Sequence, residues 1–317
     1  VNVSRLAAFR RSLTRRSTGE RALPWLFLLP LLFFLAAFIG IPVLWTLFSS
    51  GFQDVPFLPR RANFPAHFIA LVRDRGFLQS VRFTLLFIAV SVPLEIAAGL
   101  AFALLCNRPL FGRPFLRAAV LIPWAVPSAV AGRIWQLAYN YHYGLLNALG
   151  QGCGLFDRPV HWLGGAPGAF FSIVAADVWK TTPFVTILLL AGLQSIPGEI
   201  LAQARVDRAS PLQVFTRVTL PLLKPVIVVA FLFRSIDALR IFDLVFVLTR
   251  GAPGGATAPL SLKAYHYYLN GDFGTGSAVS VILFLIALAL TLVYLRAGKF
   301  YGTLDPSGSR GTIGEAA

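Results

Sequence analysis

The chain has 317 residues, 56% of them hydrophobic and 13% charged, with a mean hydropathy of +0.72. A soluble domain carries about 25% charged residues, so this composition excludes an ordinary soluble globular protein and points to an integral membrane protein. The net charge of +15 and the pI near 10.8 do not indicate nucleic acid: no basic stretch carries a reading module, and Lys and Arg enriched in cytoplasmic loops give the same sign.

Residues 1–23 set Arg5, Arg10, Arg11, Arg15, Arg16 and Arg21 against Glu20 alone, which predicts a basic cytoplasmic arm too polar to bury. The apolar segment 24–50, running without a break to about Phe48, exceeds the about 7–15 residues of a signal-peptide core and reads as an uncleaved helix. Further candidate spans fall near 80–105, 115–138, 170–195, 223–248 and 274–295, each close to the ~20 residues that cross a bilayer. The expected architecture is therefore all-α, with six transmembrane helices, a core domain over 80–296, a tail over 297–317 and both termini on one side.

Charge decides the side. The arm, the 106–117 turn (Arg108, Arg113, Arg117), the island near 205–224 (Arg205, Arg208, Arg217, Lys224) and the tail (Arg296, Lys299, Arg310) hold 16 basic residues. The other face holds 8: Arg60, Arg61, Arg73, Arg75, Arg82, Arg158, Arg250 and Lys263. Termini and island are thus expected in the cytoplasm, with the 51–79 loop as a local exception. Cys106 and Cys153 fall on opposite sides in this topology and are expected as free thiols.

Two outer loops carry composition of interest. Residues 139–169 are rich in Gly, Tyr, His and Trp, and 250–273 run from a flexible RGAPGGATAP turn into an amphipathic LSLKAYHYYL piece. Either a soluble partner docks there or the loops only pack on themselves. Gly274, Gly276, Ser277 and Ala278 open the last span with small residues that let helices approach closely.

The island 196–221 lies between two long apolar runs. Helix formers follow Gly198, and Ser210 with Pro211 suits an N-cap and first helical position for a second short helix. Leu212, Phe215 and Val218 give that helix an apolar stripe, and Leu220 with Pro221 is expected to stop it. Such a pair of helices fits a groove on another protein or the lipid headgroup layer.

Charges also sit inside the spans: Asp177 and Lys180 in the fourth, Arg234, Asp237, Arg240 and Asp243 in the fifth. Each costs about 2.5–3.5 kcal/mol at mid-membrane, so they must pair or face water. Asp177/Lys180, Arg234/Asp237 and Arg240/Asp243 are each acid and base at i, i+3. Arg234 and Asp243 point nearly opposite ways on an unbroken helix, so one end of the series must meet a cavity or a neighbour. Asp177/Lys180 and Arg240/Asp243 fall at similar depth, with Trp179, Phe184, Phe242 and Phe246 nearby. Carboxylates beside aromatic faces suit a neutral polyhydroxylated ligand, and the same set also suits a structural salt-bridge network. Glu95 and Arg133, alone in their spans, are expected to pair structurally.

The chain has no GxxxxGK[ST] phosphate loop, and AGKF around Lys299 lacks its spacing. His67, His142, His161 and His266 show no metal-ligand spacing, and no nucleophile motif appears. No catalytic residue, metal or cofactor is therefore assigned to this chain.

GLLNALG (144–150), HWLG (161–164), DVWKTTPFVTILLLAGLQSIP (177–197), ARVDRASPLQVFTRVTLPLLKP (204–225) and FDLVFVLTRGAPGG (242–255) together resemble the inner-membrane permeases of binding-protein-dependent ABC sugar importers. The resemblance covers about 80–296, and DVWKTTPF is most similar to permeases for trehalose- or maltose-type disaccharides. It implies the type I importer permease fold in a bacterial inner membrane. It also implies a sister permease, two ATP-binding subunits that hold ATP and Mg, and an external sugar-binding protein. Sugar would move by alternating access, past Asp177, Trp179, Lys180, Phe184, Asp237, Arg240 and Asp243 as candidate lining residues. The island would be the "EAA" loop that docks on the ATPase, through Ala202, Ala204, Asp207, Arg208, Ala209, Phe215 and Pro221. The family pattern E-A-A-x-x-D-G-A departs here at Ala202, in place of Glu, and at Arg208, in place of Gly, which puts the turn or the docking distance in question. Midplane charges and broken helices also fit a proton-coupled secondary transporter using the buried Asp, Arg and Lys residues.

Overall fold

The computed structural model describes residues 18–109 and 111–299. Most of the basic arm, most of the tail and Arg310 lie outside the described residues. The chain enters as α1 (Thr18–Leu35), passes a π-helical turn (Ala36–Gly40) and continues as α2 (Ile41–Ser49). No residue of the apolar stretch Trp25–Ser49 is buried until Ser49. A rod of that length and polarity is stable only in hydrocarbon or under a partner. A two-stranded antiparallel ribbon, β1 (Phe52–Gln53) with β2 (Arg61–Ala62), pairs Phe52 with Ala62, and α3 (Ala66–Arg73) follows.

The core is built on α4 (Arg75–Asn107) packed along α8 (Ala166–Gln194). Phe83, Phe87, Val92 and Ile96 from α4 interdigitate with Ile173, Val185 and Leu189 from α8, and α11 (Leu220–Leu239) adds Leu223, Ala230 and Ala238. Asp74 caps α4 by accepting from the Gly76 and Phe77 N–H groups at 3.0 and 3.1 Å, which sets its start five residues before the expected position 80. At the far end the Cys106 carbonyl accepts from Arg113 Nε at 2.9 Å and Arg117 Nη2 at 3.4 Å. Basic side chains there satisfy a carbonyl that the helix end leaves open. Cys106 is buried, Cys153 exposed, and both are free thiols.

The structure corrects the sequence reading of two spans. The third is two helices, α5 (Arg113–Ala125) and α6 (Ser128–Ala138), bent by 93°. Pro127 has no N–H to continue α5 and forces Val126 into extended backbone (φ −71°, ψ 128°). The fifth is also broken: α11 ends at Leu239, residues 240–242 are not helical, and α12 (Asp243–Leu248) restarts. Ser261 Oγ donates to the Ile241 carbonyl in this gap. Among the described residues four helices are long and apolar enough to cross a membrane, five spans if the bent pair counts as one. α11 carries Lys224, Arg234 and Asp237 within its 20 residues, so length and apolarity alone do not mark it as a span. The segments after the two breaks pack together: a Cβ on Gly132 of α6 would lie 3.0 Å from Val247 Cβ.

The outer loops hold α7 (Leu145–Gly152) and α13 (Leu260–Leu269), and α14 (Phe273–Lys299) closes the fold. Asn147 organises the first loop. Its amide donates to the Asn140, Tyr141 and Val160 carbonyls and accepts from Val160 N–H and Trp162 Nε1 at 3.0 and 2.9 Å. The amphipathic piece buries Leu260, Leu262 and Ala264. The small-residue start of α14 does bring elements close: a Cβ on Gly274 would sit 2.2 Å from the Phe52 carbonyl.

Candidate functional site

Three helices converge on one guanidinium. Arg234 of α11, 2% exposed, donates to Glu95 of α4 through Nε and Nη2, to Asp177 of α8 through Nη2 at 3.1 Å, and to Asp237 through Nη1. Asp237 also accepts from Arg240 Nη2 at 3.3 Å, in a pairing far more open to solvent. Among the described residues, no ion pair joins Asp177 to Lys180 or Arg240 to Asp243. The i, i+3 expectation therefore holds for Arg234/Asp237 and is corrected for the other two. Asp177 turns instead to Arg234 on the neighbouring helix, and Arg240 turns back to Asp237 because α11 has already ended. Glu95, read as a lone structural charge, is the fully buried arm of this cluster. Arg133 donates to Gln136 Oε1 at 2.7 Å on an exposed face.

Two cavities open from the cluster. One of about 260 Å³ is lined by Ser128, Asp177, Lys180, Thr181, Arg234, Asp237, Arg240, Phe242 and Asp243. The second, about 330 Å³, is lined by Trp124, Lys180, Thr181, Phe184, Phe233, Arg234, Asp237 and Arg240. Trp124 and Phe184 stack there with ring centroids 6.2 Å apart. The break after α11 brings Asp243 into the same cavity as Arg234, where an unbroken helix would have separated them. It also puts Asp243 in the first turn of α12, where the helix dipole favours an acid. Of the expected lining residues, Asp177, Lys180, Phe184, Asp237, Arg240 and Asp243 are brought together. Trp179 is not among them: its ring meets Trp135 edge-on at 5.8 Å in the packing between α8 and α6. Trp124, Ser128, Thr181 and Phe233 were missed. The signal for the first two was the pair of prolines, Pro123 and Pro127, that bends the third span between them.

Hydroxyl, carboxylate, ammonium and guanidinium groups beside a stacked aromatic pair can hydrogen-bond a polar ligand and cover its apolar faces. Each cavity is at or just below the lower end of the ~300–1,000 Å³ usual for ligand sites. Among the described residues no group of His, Cys, Asp and Glu could hold a metal.

The polar island lies by the other end of α4. It consists of α9 (Gly198–Val206), a turn, α10 (Pro211–Val214) and a second π-helical turn (Phe215–Thr219) that runs directly into α11. Ser210 and Gln213 form a capping box, with Gln213 N–H donating to Ser210 Oγ at 3.3 Å and Ser210 N–H to Gln213 Oε1 at 2.8 Å. The expected stop at Pro221 does not occur. Pro221 lies in the first turn of α11, just after the π turn has shifted the hydrogen-bond register, so its missing N–H breaks nothing. Arg208 stands at φ +56°, a conformation that costs an L side chain roughly 1–2 kcal/mol. Ala202, Asp207 and Arg208 are exposed, and Ala204 and Ala209 half-buried. Val206 and Leu212 are 81% and 70% exposed. Phe215 is half-buried and lines an open cavity with Leu104, Asn107, Arg108 and Val214.

Residues 95–301 match the family described as the binding-protein-dependent transport system inner membrane component. The trehalose/maltose transport system permease protein MalF of Thermococcus litoralis is 49% identical over 89% of this chain and 95% of its own. The trehalose transport system permease protein SugA of Mycobacterium tuberculosis is 35% identical over 95% of both chains. The sulfoquinovosyl glycerol transport system permease protein SmoG of Agrobacterium fabrum is 36% identical over 88% of this chain and 91% of its own. The structure superposes on that of a bacterial ABC transporter that imports alginate with a TM-score of 0.77 at 21% identity, covering 89% of this chain and 96% of the other. It therefore has the fold of an ABC importer permease. The chain belongs to the inner-membrane permease family of binding-protein-dependent ABC transport systems, as a multi-pass membrane component.

Proposed function

We propose that this chain is a permease subunit of an ATP-driven importer of a neutral disaccharide or small oligosaccharide. The observation that carries this reading is the 49% identity, along 89% of the chain, to a trehalose/maltose permease. In this reading the two cavities around Arg234 are part of the sugar path, and Asp177, Lys180, Phe184, Asp237, Arg240 and Asp243 contact the passing hydroxyls and ring faces. Trp124 and Thr181 join them. α11 with α12 forms the fifth span in chain order and completes a set of six, both termini face the cytoplasm as the charge distribution favours, and the bare face of α1 and α2 meets lipid or the sister permease. Ala202, Ala204, Asp207, Arg208 and Ala209 lie on the surface offered to an ATP-hydrolysing subunit, and an external binding protein delivers the sugar. The broken spans suit alternating access, because helix interruptions at a midplane cavity supply both polar groups and hinges. A proton-coupled transporter, the other reading of the buried charges, gains no support from either the relatives or the superposed structures.

Reconstitution tests the proposal. Proteoliposomes holding both permeases and the ATPase are expected to take up trehalose or maltose when ATP and the loaded binding protein are present, and to keep doing so when the proton gradient is dissipated. Uptake that survives mutation of the ATPase phosphate-loop lysine would overturn it.

A further inference from the structure

Arg208 occupies the one position of the island's turn where glycine is the default. The Asp207 N–H bonds to the Gln203 carbonyl at 3.0 Å and the Ala209 N–H reaches back to the Ala204 carbonyl at 3.1 Å. That pattern ends a helix through a left-handed residue, here Arg208 at φ +56°. The side chain gains nothing within the chain in return. Among the described residues the guanidinium has no ion-pair or hydrogen-bond partner, and it is exposed. Val206 on one side and Leu212 on the other are also uncovered. A planar five-donor cation flanked in sequence by two bare apolar side chains, on a backbone that disfavours it, is complementary to a carboxylate set among apolar hollows.

We propose that Arg208 is a specificity-determining contact for the ATP-hydrolysing partner: the left-handed backbone presents its guanidinium to a carboxylate of that partner while Val206 and Leu212 pack beside it. The proposal rests on the reading that this partner docks on the island. It makes the departure from glycine a feature of partner choice and predicts that ATPases lacking that carboxylate bind this permease poorly.

The test uses the whole importer, both permeases with the ATPase subunits, in nanodiscs of neutral lipid. ATPase dissociation is titrated with NaCl for the wild type and for R208G, R208K and R208E. R208G is the informative variant, because glycine suits φ +56° better than arginine; its yield of folded chain from membranes is expected to match or exceed the wild type. Association of R208G is expected to weaken about tenfold with a shallower salt dependence, R208E to weaken more, and R208K to retain part of the affinity. R208G binding as tightly and with the same salt dependence as the wild type overturns the proposal. So does an effect that appears only when anionic lipid is added, which would make Arg208 a headgroup contact. Failure of the wild-type chain to bind the ATPase at any salt would instead overturn the reading of the island as a docking loop.

Discussion

Glu95 and Arg234, 139 residues apart in the chain, meet as a two-pronged pair: Arg234 Nη2 donates to Glu95 Oε1 at 2.9 Å and Nε donates to Oε2. Both side chains are shut off from solvent, and Asp177 and Asp237 share the same guanidinium. Arg234→Ala would leave the Glu95 and Asp177 carboxylates buried without a counter-charge. Breaking a buried pair in this way costs about 3–5 kcal/mol. The expected outcome is a sharp loss of folded chain, read by size-exclusion after heating in detergent. Glu95→Gln is expected to be milder, because its carbonyl still accepts from Arg234 and two carboxylates still balance the charge. Equal losses in the two variants would refute this view of the cluster.

Asp243 and Asp237 divide the roles expected of path residues. Asp237 ties Arg234 to Arg240, whereas Asp243 is exposed to the cavity and, among the described residues, has no ion pair. Asp243→Ala is expected to lower sugar uptake several-fold with the amount of folded chain unchanged. Asp237→Ala is expected to lower both. Uptake per folded molecule, counted by quantitative blotting, separates them.

On the island, Leu212 and Phe215 lie one helical turn apart yet face different surroundings. Phe215 is half-buried against the end of α4, and Leu212 is bare. Leu212→Asp is expected to reduce co-purification of the ATPase while the permease still folds. Phe215→Asp, which places a charge inside the chain, is expected to lower the melting temperature of the permease itself. The opposite assignment of the two phenotypes would mean that Phe215 is the docking side chain.

Asp74 offers a pH test outside the spans. Burial pushes its carboxyl up, but the Gly76 N–H, the Lys263 ammonium at 3.1 Å and the Phe77 N–H outweigh burial and hold it below the ordinary carboxylate value. A carboxyl lowered in the folded state adds stability above its unfolded pKa of about 3.9 and loses it as pH falls through the folded value. Asp74→Asn should therefore melt below the wild type at neutral pH, and the gap should close in acid. A gap independent of pH would assign the loss to the helix cap alone.

The sequence made the uninterrupted spans legible, because long apolar runs such as 80–105 and 274–295 have one stable environment. It also marked the charged residues of the site, since charges in such runs need a reason. Their pairing was hidden: spacing along one helix suggested Asp177 with Lys180, whereas the contact that forms crosses from α8 to α11. Local periodicity carries no information about which neighbour lies across a helix interface. The two breaks were half legible. Pro127 was a readable signal for the bend, although 115–138 reads as one span, but nothing comparable marks residues 240–242, where Ser261, twenty residues away in the chain, donates to the Ile241 carbonyl. The elbow at Arg208 was legible as a departure, and the residue takes a left-handed backbone, φ +56°, of the kind that glycine adopts without strain.

Gly132 and Val247 bear on how the two interrupted spans move. With 3.0 Å between Val247 and the place a Cβ would take on Gly132, α6 and α12 are in direct steric contact, and close-packed groups of this kind cannot slide apart without opening a void. Each follows a break in its own span, after Ala125 and after Leu239. Through this one contact the segment that follows the break at Pro127 is packed directly against the segment that carries Asp243 into the cavity.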